Sequence, residues 1–123
     1  MDPNDIKILV RAYFDRLINK KDLSICDVVL SPHFIDHDIP SDTPPGPDET
    51  KRFIRQFIEN YPNLKVQVKD VVAGDNKAAA QIIWTGNHRD TKQKLRRMGN
   101  IIIHLDENGQ FLERWSVYQD IET

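Results

Sequence analysis

The spacing of the apolar residues changes at Pro62, and this change limits the possible folds more than any other feature of the sequence. Before Pro62, apolar side chains recur every three or four residues, which is typical of amphipathic helices. After it, apolar residues such as Leu64, Val66 and Val68 alternate with polar ones, which is typical of strands. Because the helices come first and the strands follow as a block, the sequence predicts the α+β class.

Three helices are expected in the first half of the chain. The first has Asp2 as its N-cap, and its buried stripe includes Tyr13 and Phe14. Residues 38–47 contain four prolines and a glycine, so this segment is expected to be an ordered loop or a mobile lid. The three helices are expected over residues 2–20, 23–30 and 48–60.

Four strands are expected in the second half, joined as an antiparallel meander. Asn108-Gly109 is a hairpin-turn signal between the last two strands, and Gly99 indicates a bulge or a bend. Long strands of this kind can curl around the first helix and enclose a cavity, which is the default site for a small ligand. The strands are expected over residues 64–72, 78–88, 95–105 and 110–119.

The bulk properties of the chain exclude several classes of protein. Its 123 residues indicate a single domain, residues 1–123, and the net charge of −2 does not favour nucleic-acid binding. No apolar run approaches the roughly 18 residues needed to span a membrane, and no signal peptide is recognisable, so a cytoplasmic protein is expected. The four histidines are scattered and no phosphate-binding glycine loop is present, so neither a metal nor a cofactor is expected.

Two histidines are the candidates for proton transfer. His88 follows a strand whose alternation places it on the same face as Trp84, so it is either a cavity imidazole or a surface histidine at a strand end. His37 follows an apolar pair and precedes the proline-rich segment. It is either a general base at the cavity mouth or an imidazole that hydrogen-bonds the loop backbone. His104 lies within a strand and faces either the cavity or the solvent.

The alternation of the last strand separates its side chains into two sets. Trp115, Val117 and Gln119 form the set expected to face the cavity, where the indole can stack on a ligand and the amide can orient a carbonyl. Asp120 is then expected to point away from the cavity, unless a bulge changes the alternation. The second set consists of Arg114, Ser116, Tyr118 and Asp120.

Several short segments, in order and at suitable distances, resemble the SnoaL-like polyketide cyclase family, within the nuclear-transport-factor-two-like superfamily. The resemblance covers nearly the whole chain. The cyclases of this family carry an aspartate four residues after a tryptophan of the last strand, whereas Gln119 stands at that distance from Trp115. The segments are Tyr13 with NKKD (19–22), FIDHDIP (34–40), GPDE (46–49), VVAGD (71–75), TGNH (85–88) and NGQFLERW (108–115).

The resemblance implies a cone-shaped, curved antiparallel sheet wrapped around the N-terminal helices, and a homodimer. It also implies a cofactor-independent isomerase or cyclase, or a hydrolase, acting on a small, carbonyl-bearing, largely apolar ligand. Since the acid after Trp115 is missing, the alternative is a non-catalytic module of the same fold that binds a ligand or dimerises. If it is an enzyme, His37 and His88 are the catalytic residues, and the ligand-binding residues are Tyr13, Phe14, Trp84, Trp115 and Gln119.

Overall fold

The computed structural model describes residues 1–40 and 42–121. In this part of the chain, no helix is long and apolar enough to cross a membrane. The elements, in chain order, are α1 (Pro3–Phe14), a π-helical turn (Asp15–Asn19), α2 (Ile25–Val29), β1 (Leu30–Asp36), α3 (Pro47–Asn60), β2 (Lys65–Gly74), β3 (Lys77–Asn87), β4 (Lys94–Leu105) and β5 (Phe111–Asp120).

The strands form a single curved, unclosed sheet in the order β1-β5-β4-β3-β2. The predicted α+β class is confirmed, and β2 to β5 form the predicted antiparallel meander. The expected number of four strands was wrong, because Leu30–Asp36 forms a fifth strand that pairs in parallel with β5. Ser31-Pro32 had suggested only the end of a helix, but a proline is tolerated in an edge strand, where one side of the backbone needs no partner.

The first helix covers the inner face of the sheet, which we define as the face turned toward the helices. Asp2 caps the helix as predicted, since its carboxylate accepts a hydrogen bond of 2.7 Å from the backbone N–H of Asn4. Ile6 and Val10 are fully buried, as is Ile82 on the sheet. Burial of one such side chain stabilises a fold by about 1.5–3 kcal/mol, so this packing fixes the helix against the sheet.

A bulge at the start of β5 determines which of its side chains face inward. Leu105 pairs with Phe111, but His104 pairs with Glu113, so β5 carries one extra residue, Leu112, at this point. One extra residue moves every following side chain to the opposite face. The expected orientation of the last strand was therefore wrong. Arg114, Ser116 and Tyr118 face inward, while the set that contains Trp115 lies on the outer face of the sheet.

Gly99 was expected to mark a bulge or a bend, and the strand pairing excludes the bulge. The pairing of β4 with both neighbouring strands passes through Gly99 without a shift, so no bulge occurs there. The glycine instead lies opposite Tyr118, and a Cβ atom at position 99 would come within 2.5 Å of the tyrosine ring. The absence of a side chain thus leaves room for the ring of Tyr118 on the inner face.

Candidate functional site

A cavity of about 240 Å³ lies between the helices and the inner face of the sheet. Much of its wall is aromatic, and several charged side chains also line it. This combination is typical of sites that hold an apolar ligand and orient it through a few polar contacts. The aromatic residues are Tyr13, Phe14, Phe53, Phe57, Trp84 and Tyr118, and the charged ones are Asp36, Asp38, Glu49, Arg97 and Arg114.

The aromatic wall includes three of the residues expected to bind a ligand. Tyr13 packs edge-on against Phe14, with ring centroids 5.2 Å apart. Trp84 is 6% exposed and stacks on Phe57 at 5.7 Å, with an angle of 17° between the ring planes. The indole N–H of Trp84 has no hydrogen-bond acceptor among the described residues. Tyr13, Phe14 and Trp84 therefore lie on the cavity wall, and their binding of a ligand stays a prediction.

Asp36, at the end of β1, places a carboxyl group in this largely apolar cavity. Burial raises the pKa of Asp36 above its ordinary value, and the positive charge of Arg114 opposes this shift only in part. One carboxyl oxygen accepts a hydrogen bond of 2.9 Å from the backbone N–H of Asp38. A carboxylate whose pKa is raised by an apolar site is a better proton acceptor at neutral pH, so Asp36 is suited to act as a general base.

Arg114 extends along the inner face of β5 toward the end of the strand. Its Nε donates to Oγ of Ser116 at 3.0 Å, and its Nη2 donates to Oη of Tyr118 at 2.5 Å. These residues follow at intervals of two, so their side chains share one face of the strand. Burial acts to lower the pKa of Arg114, but Tyr118 and Asp36 raise it above its ordinary value, so the guanidinium stays charged.

The structure places His37 and Trp115 together, but on the outer face of the sheet. Their rings stack with centroids 4.6 Å apart and planes 5° apart. Nε2 of His37 lies 2.9 Å from Oε2 of Glu113, and the ring of His104 packs edge-on against Trp115 at 4.7 Å. His37 faces outward because Asp36, the residue before it, takes the inward position at the end of β1. His37 and Trp115 thus line an open groove rather than the cavity.

His88 and Gln119 also lie away from the cavity wall. Strand β3 ends at Asn87, so the alternation that places Trp84 inward does not extend to His88. Nδ1 of His88 instead accepts a hydrogen bond of 3.2 Å from the backbone N–H of Asp90 in the following turn. Gln119 is exposed and pairs with Met98 on the outer face. The expectation that His37 and His88 flank one cavity wall is therefore corrected.

Asp120, expected to point away from the cavity, follows the corrected alternation of β5. Its carboxylate accepts a hydrogen bond of 3.0 Å from Nε of Arg97, and Arg97 lines the cavity. The bulge at Leu112 puts the set that contains Tyr118 and Asp120 on the inner face of the strand. Asp120 is exposed, so it binds the outer part of the Arg97 side chain rather than filling the cavity.

None of the polar residues at the centre of the proposed chemistry was predicted as a site residue, namely Asp36, Arg114 and Tyr118. A signal for Asp36 was present, because Phe34 is apolar and residues two apart on a strand share a face. The position of Arg114 and Tyr118 depends on the bulge at Leu112, and no sequence signal marks that bulge. Hydrophobicity favoured Trp115 instead, since an indole is more often buried than a guanidinium.

Comparison with known proteins identifies the family. The profile described as "SnoaL-like polyketide cyclase" matches residues 7–123. The chain belongs to this family. No curated protein matches the sequence. The fold of this SnoaL-like chain is similar to the folds of several solved structures.

TsrD from Streptomyces laurentii superposes with a TM-score of 0.86 at 17% identity, over 97% of this chain and 91% of that one. AclR from Streptomyces galilaeus gives a TM-score of 0.80 at 19% identity, over 96% and 91% of the two chains. A SnoaL-like polyketide cyclase from Agrobacterium tumefaciens gives 0.80 at 13% identity, over 97% and 93%. At these identities the likeness shows the SnoaL-like fold alone.

Proposed function

We propose that this SnoaL-like protein is a cofactor-free isomerase or cyclase that moves a proton on a small, carbonyl-bearing, largely apolar ligand, with Asp36 as its base. The observation that carries the proposal is a carboxyl group with a raised pKa in an aromatic cavity, which also contains the donors Arg114 and Tyr118. Perturbed carboxyl groups in clefts are typical of catalytic sites. The proposal moves proton transfer from His37 and His88, which lie outside this cavity, to Asp36.

The proposed reaction begins when the carboxylate of Asp36 takes a proton from the carbon next to the ligand's carbonyl group. The electron pair of the broken C–H bond moves to the carbonyl oxygen and forms an enolate. The hydroxyl group of Tyr118 donates to that oxygen, and its donor strength is increased because Tyr118 accepts a hydrogen bond from the charged Arg114. In an isomerase, the ligand is conjugated and Asp36 returns the proton to another carbon of the extended enolate. In a cyclase, the enolate carbon forms a bond to a second carbonyl carbon, and the oxygen of that carbonyl takes the proton from Asp36, which regenerates the carboxylate.

The aromatic wall supports this chemistry by excluding water and by holding a flat ligand. Phe57 and Trp84 are stacked on each other, so they present a rigid surface to the cavity. A dry environment strengthens the interaction between an enolate oxygen and its donors. The apolar body of the ligand is expected to lie against this surface, with its carbonyl group toward Tyr118.

The test is hydrogen–deuterium exchange at the carbon next to the carbonyl of 2-tetralone, a bicyclic ketone, followed by NMR. Asp36→Asn is expected to slow the protein-dependent exchange by about 10²–10⁴-fold, because it removes the base but keeps the size of the side chain. His37→Ala and His88→Ala are the controls and are expected to exchange at the unaltered rate. Loss of exchange in either histidine variant, with Asp36→Asn unaffected, would overturn the proposal.

A homodimer is the second proposal, and it is supported by the apolar side chains on the outer face of the sheet. Val117 is 75% exposed, Val72 is 58% exposed and Ile102 is 50% exposed. Exposed apolar patches of this kind mark surfaces that another protein covers. We infer that a second copy of the chain covers them, whether or not the cavity is catalytic. Light scattering at micromolar concentration should give a dimer mass that Val117→Glu reduces to a monomer mass, and a monomer mass for the unaltered chain would refute it.

A further inference from the structure

Two residues of the cavity, Trp84 and Arg114, carry hydrogen-bond donors for which the described part of the chain supplies no acceptor. One is the indole N–H of Trp84, a residue that is 6% exposed. The other is Nη1 of Arg114, since the hydrogen bonds of this guanidinium to Ser116 and Tyr118 use only Nε and Nη2. A buried donor is nearly always paired, so the free indole N–H of Trp84 indicates that the ligand carries an oxygen acceptor. Nη1 of Arg114 belongs to a partly exposed residue and is a second donor available to such a ligand.

The charge of Arg114 is also left without an ion pair among residues 1–40 and 42–121. Two other charged residues of the cavity do have one: Arg97 contacts Asp120 at 3.0 Å, and Glu49 contacts Arg52 at 3.4 Å. The guanidinium of Arg114 bonds only to hydroxyl groups and lies over the ring of Phe14, 5.6 Å from its centroid. A charge removed from water is costly unless an opposite charge approaches it.

The two acidic residues near Arg114 do not fill that role. Asp38 is exposed, and its carboxylate accepts a hydrogen bond of 3.1 Å from the backbone N–H of Ser116. Asp36 raises the pKa of Arg114 through its charge, but no ion pair joins the two side chains among the described residues. Nη1 of Arg114 therefore has no partner in the part of the chain that the structure describes, and a guanidinium with a free nitrogen can pair with the carboxylate of a ligand through charge-assisted hydrogen bonds.

We propose that the ligand of this cavity is a carboxylic acid whose carboxylate binds the guanidinium of Arg114, while its apolar body lies against Phe57 and Trp84. The inference rests on the proposed function, because it makes the carbonyl compound an oxo-acid. The carboxylate fixes one end of the ligand, and the indole N–H of Trp84 is available to a second oxygen. Arg114 thereby selects acids over neutral compounds of the same shape.

The first test compares 2-naphthoate with 2-naphthamide, two probes of nearly equal shape that differ in charge, by isothermal titration calorimetry. The unaltered protein is expected to bind 2-naphthoate at least about 10-fold more tightly, because a charged two-point contact is much stronger than a neutral one. Equal affinities for the two probes would overturn the inference, and this outcome requires no variant that could fail to fold.

Two variants then separate this inference from the proposed function. Arg114→Gln is expected to bind both probes with similar affinity, whereas Arg114→Lys keeps part of the preference for the acid. Asp36→Asn is expected to bind 2-naphthoate more tightly than the unaltered protein, since a nearby negative charge is removed. The same variant should lose exchange of 2-tetralone.

The combined results distinguish the two failures. A preference for 2-naphthoate that persists in Arg114→Gln would overturn the role of Arg114. A preference that Arg114→Gln abolishes, together with unaltered 2-tetralone exchange in Asp36→Asn, would support the acid-binding site and refute the proposed base. Loss of exchange in Asp36→Asn, without any preference of the unaltered protein for 2-naphthoate, would support Asp36 as the base and refute the acid-binding site.

Discussion

The two faces of β5 carry opposite kinds of side chain, each the reverse of what an ordinary half-buried strand presents. The inner face carries Arg114 and Tyr118 toward the cavity, while the outer face carries Trp115 and the 75% exposed Val117. In most antiparallel sheets with one covered face, the apolar set lies inside. Polar groups inside and apolar groups outside each favour a contact that the chain alone does not supply, with a ligand in one case and a protein surface in the other.

Deletion of Ser116 is expected to have the largest effect on this arrangement. Without this residue, every following side chain of β5 moves to the opposite face, so Tyr118 turns away from the cavity. This reversal also turns polar side chains inward without partners, so it should abolish cooperative thermal unfolding, followed by circular dichroism. Deletion of Leu112 is the control and should still unfold cooperatively, because it removes only the extra residue and leaves Glu113 opposite His104. A Ser116 deletion that melts like this control would show that alternation does not set the faces.

Gly99→Ala tests the inner face alone. Its new Cβ would lie 2.5 Å from the ring of Tyr118, so the ring must move away from Arg114. Overpacking of this kind costs about 1–3 kcal/mol in the free energy of unfolding, measured by urea denaturation. Gly74→Ala is the matched control, because no atom lies within 4 Å of its Cβ, and it should change that free energy by less than about 0.5 kcal/mol. Similar values for both variants would contradict the packing of Tyr118 on Gly99.

The raised pKa of Asp36 predicts a smaller, pH-dependent difference between the unaltered protein and Asp36→Asn. Between the ordinary carboxyl pKa and the raised one, the folded state binds more protons than the unfolded state, so the free energy of unfolding falls as pH rises. Asp36→Asn lacks this contribution. Its stability relative to the unaltered protein should therefore increase with pH through this window and then level off, as measured by urea denaturation. A difference that stays constant with pH would contradict the shift.

The smallest effect is expected from His37→Ala on the outer face. Loss of the stack on Trp115 should cost about 0.5–1.5 kcal/mol of unfolding free energy and alter the fluorescence of that indole. His88→Ala is the control, since His88 packs against Tyr61 and not against Trp115. This variant should leave the fluorescence of Trp115 unchanged. If His37→Ala instead impaired the exchange of 2-tetralone, the outer face would take part in the chemistry.

The sequence predicted the helices, the meander and the fold class because those depend on the period of the apolar residues. The first strand was missed because it is short and contains Pro32, so local propensity argued against it. The position of Trp84 followed correctly from alternation within an unbroken strand. The positions of Arg114 and Trp115 did not, since one extra residue in β5 changes alternation without changing composition. Asp36 was overlooked because its strand was overlooked.

The extra residue at Leu112 has a consequence for comparing relatives of this chain. A position counted from Trp115 identifies a side of the sheet only when the strand pairing between the hairpin turn and that tryptophan is also known. A chain of equal length here but without the bulge would align well at the tryptophan yet present the opposite side chains to its cavity, whereas a chain one residue shorter with regular pairing would present the same ones. The pairing of the strand is therefore needed, as well as the tryptophan, before Gln119 or Asp120 is matched to an acid in another protein.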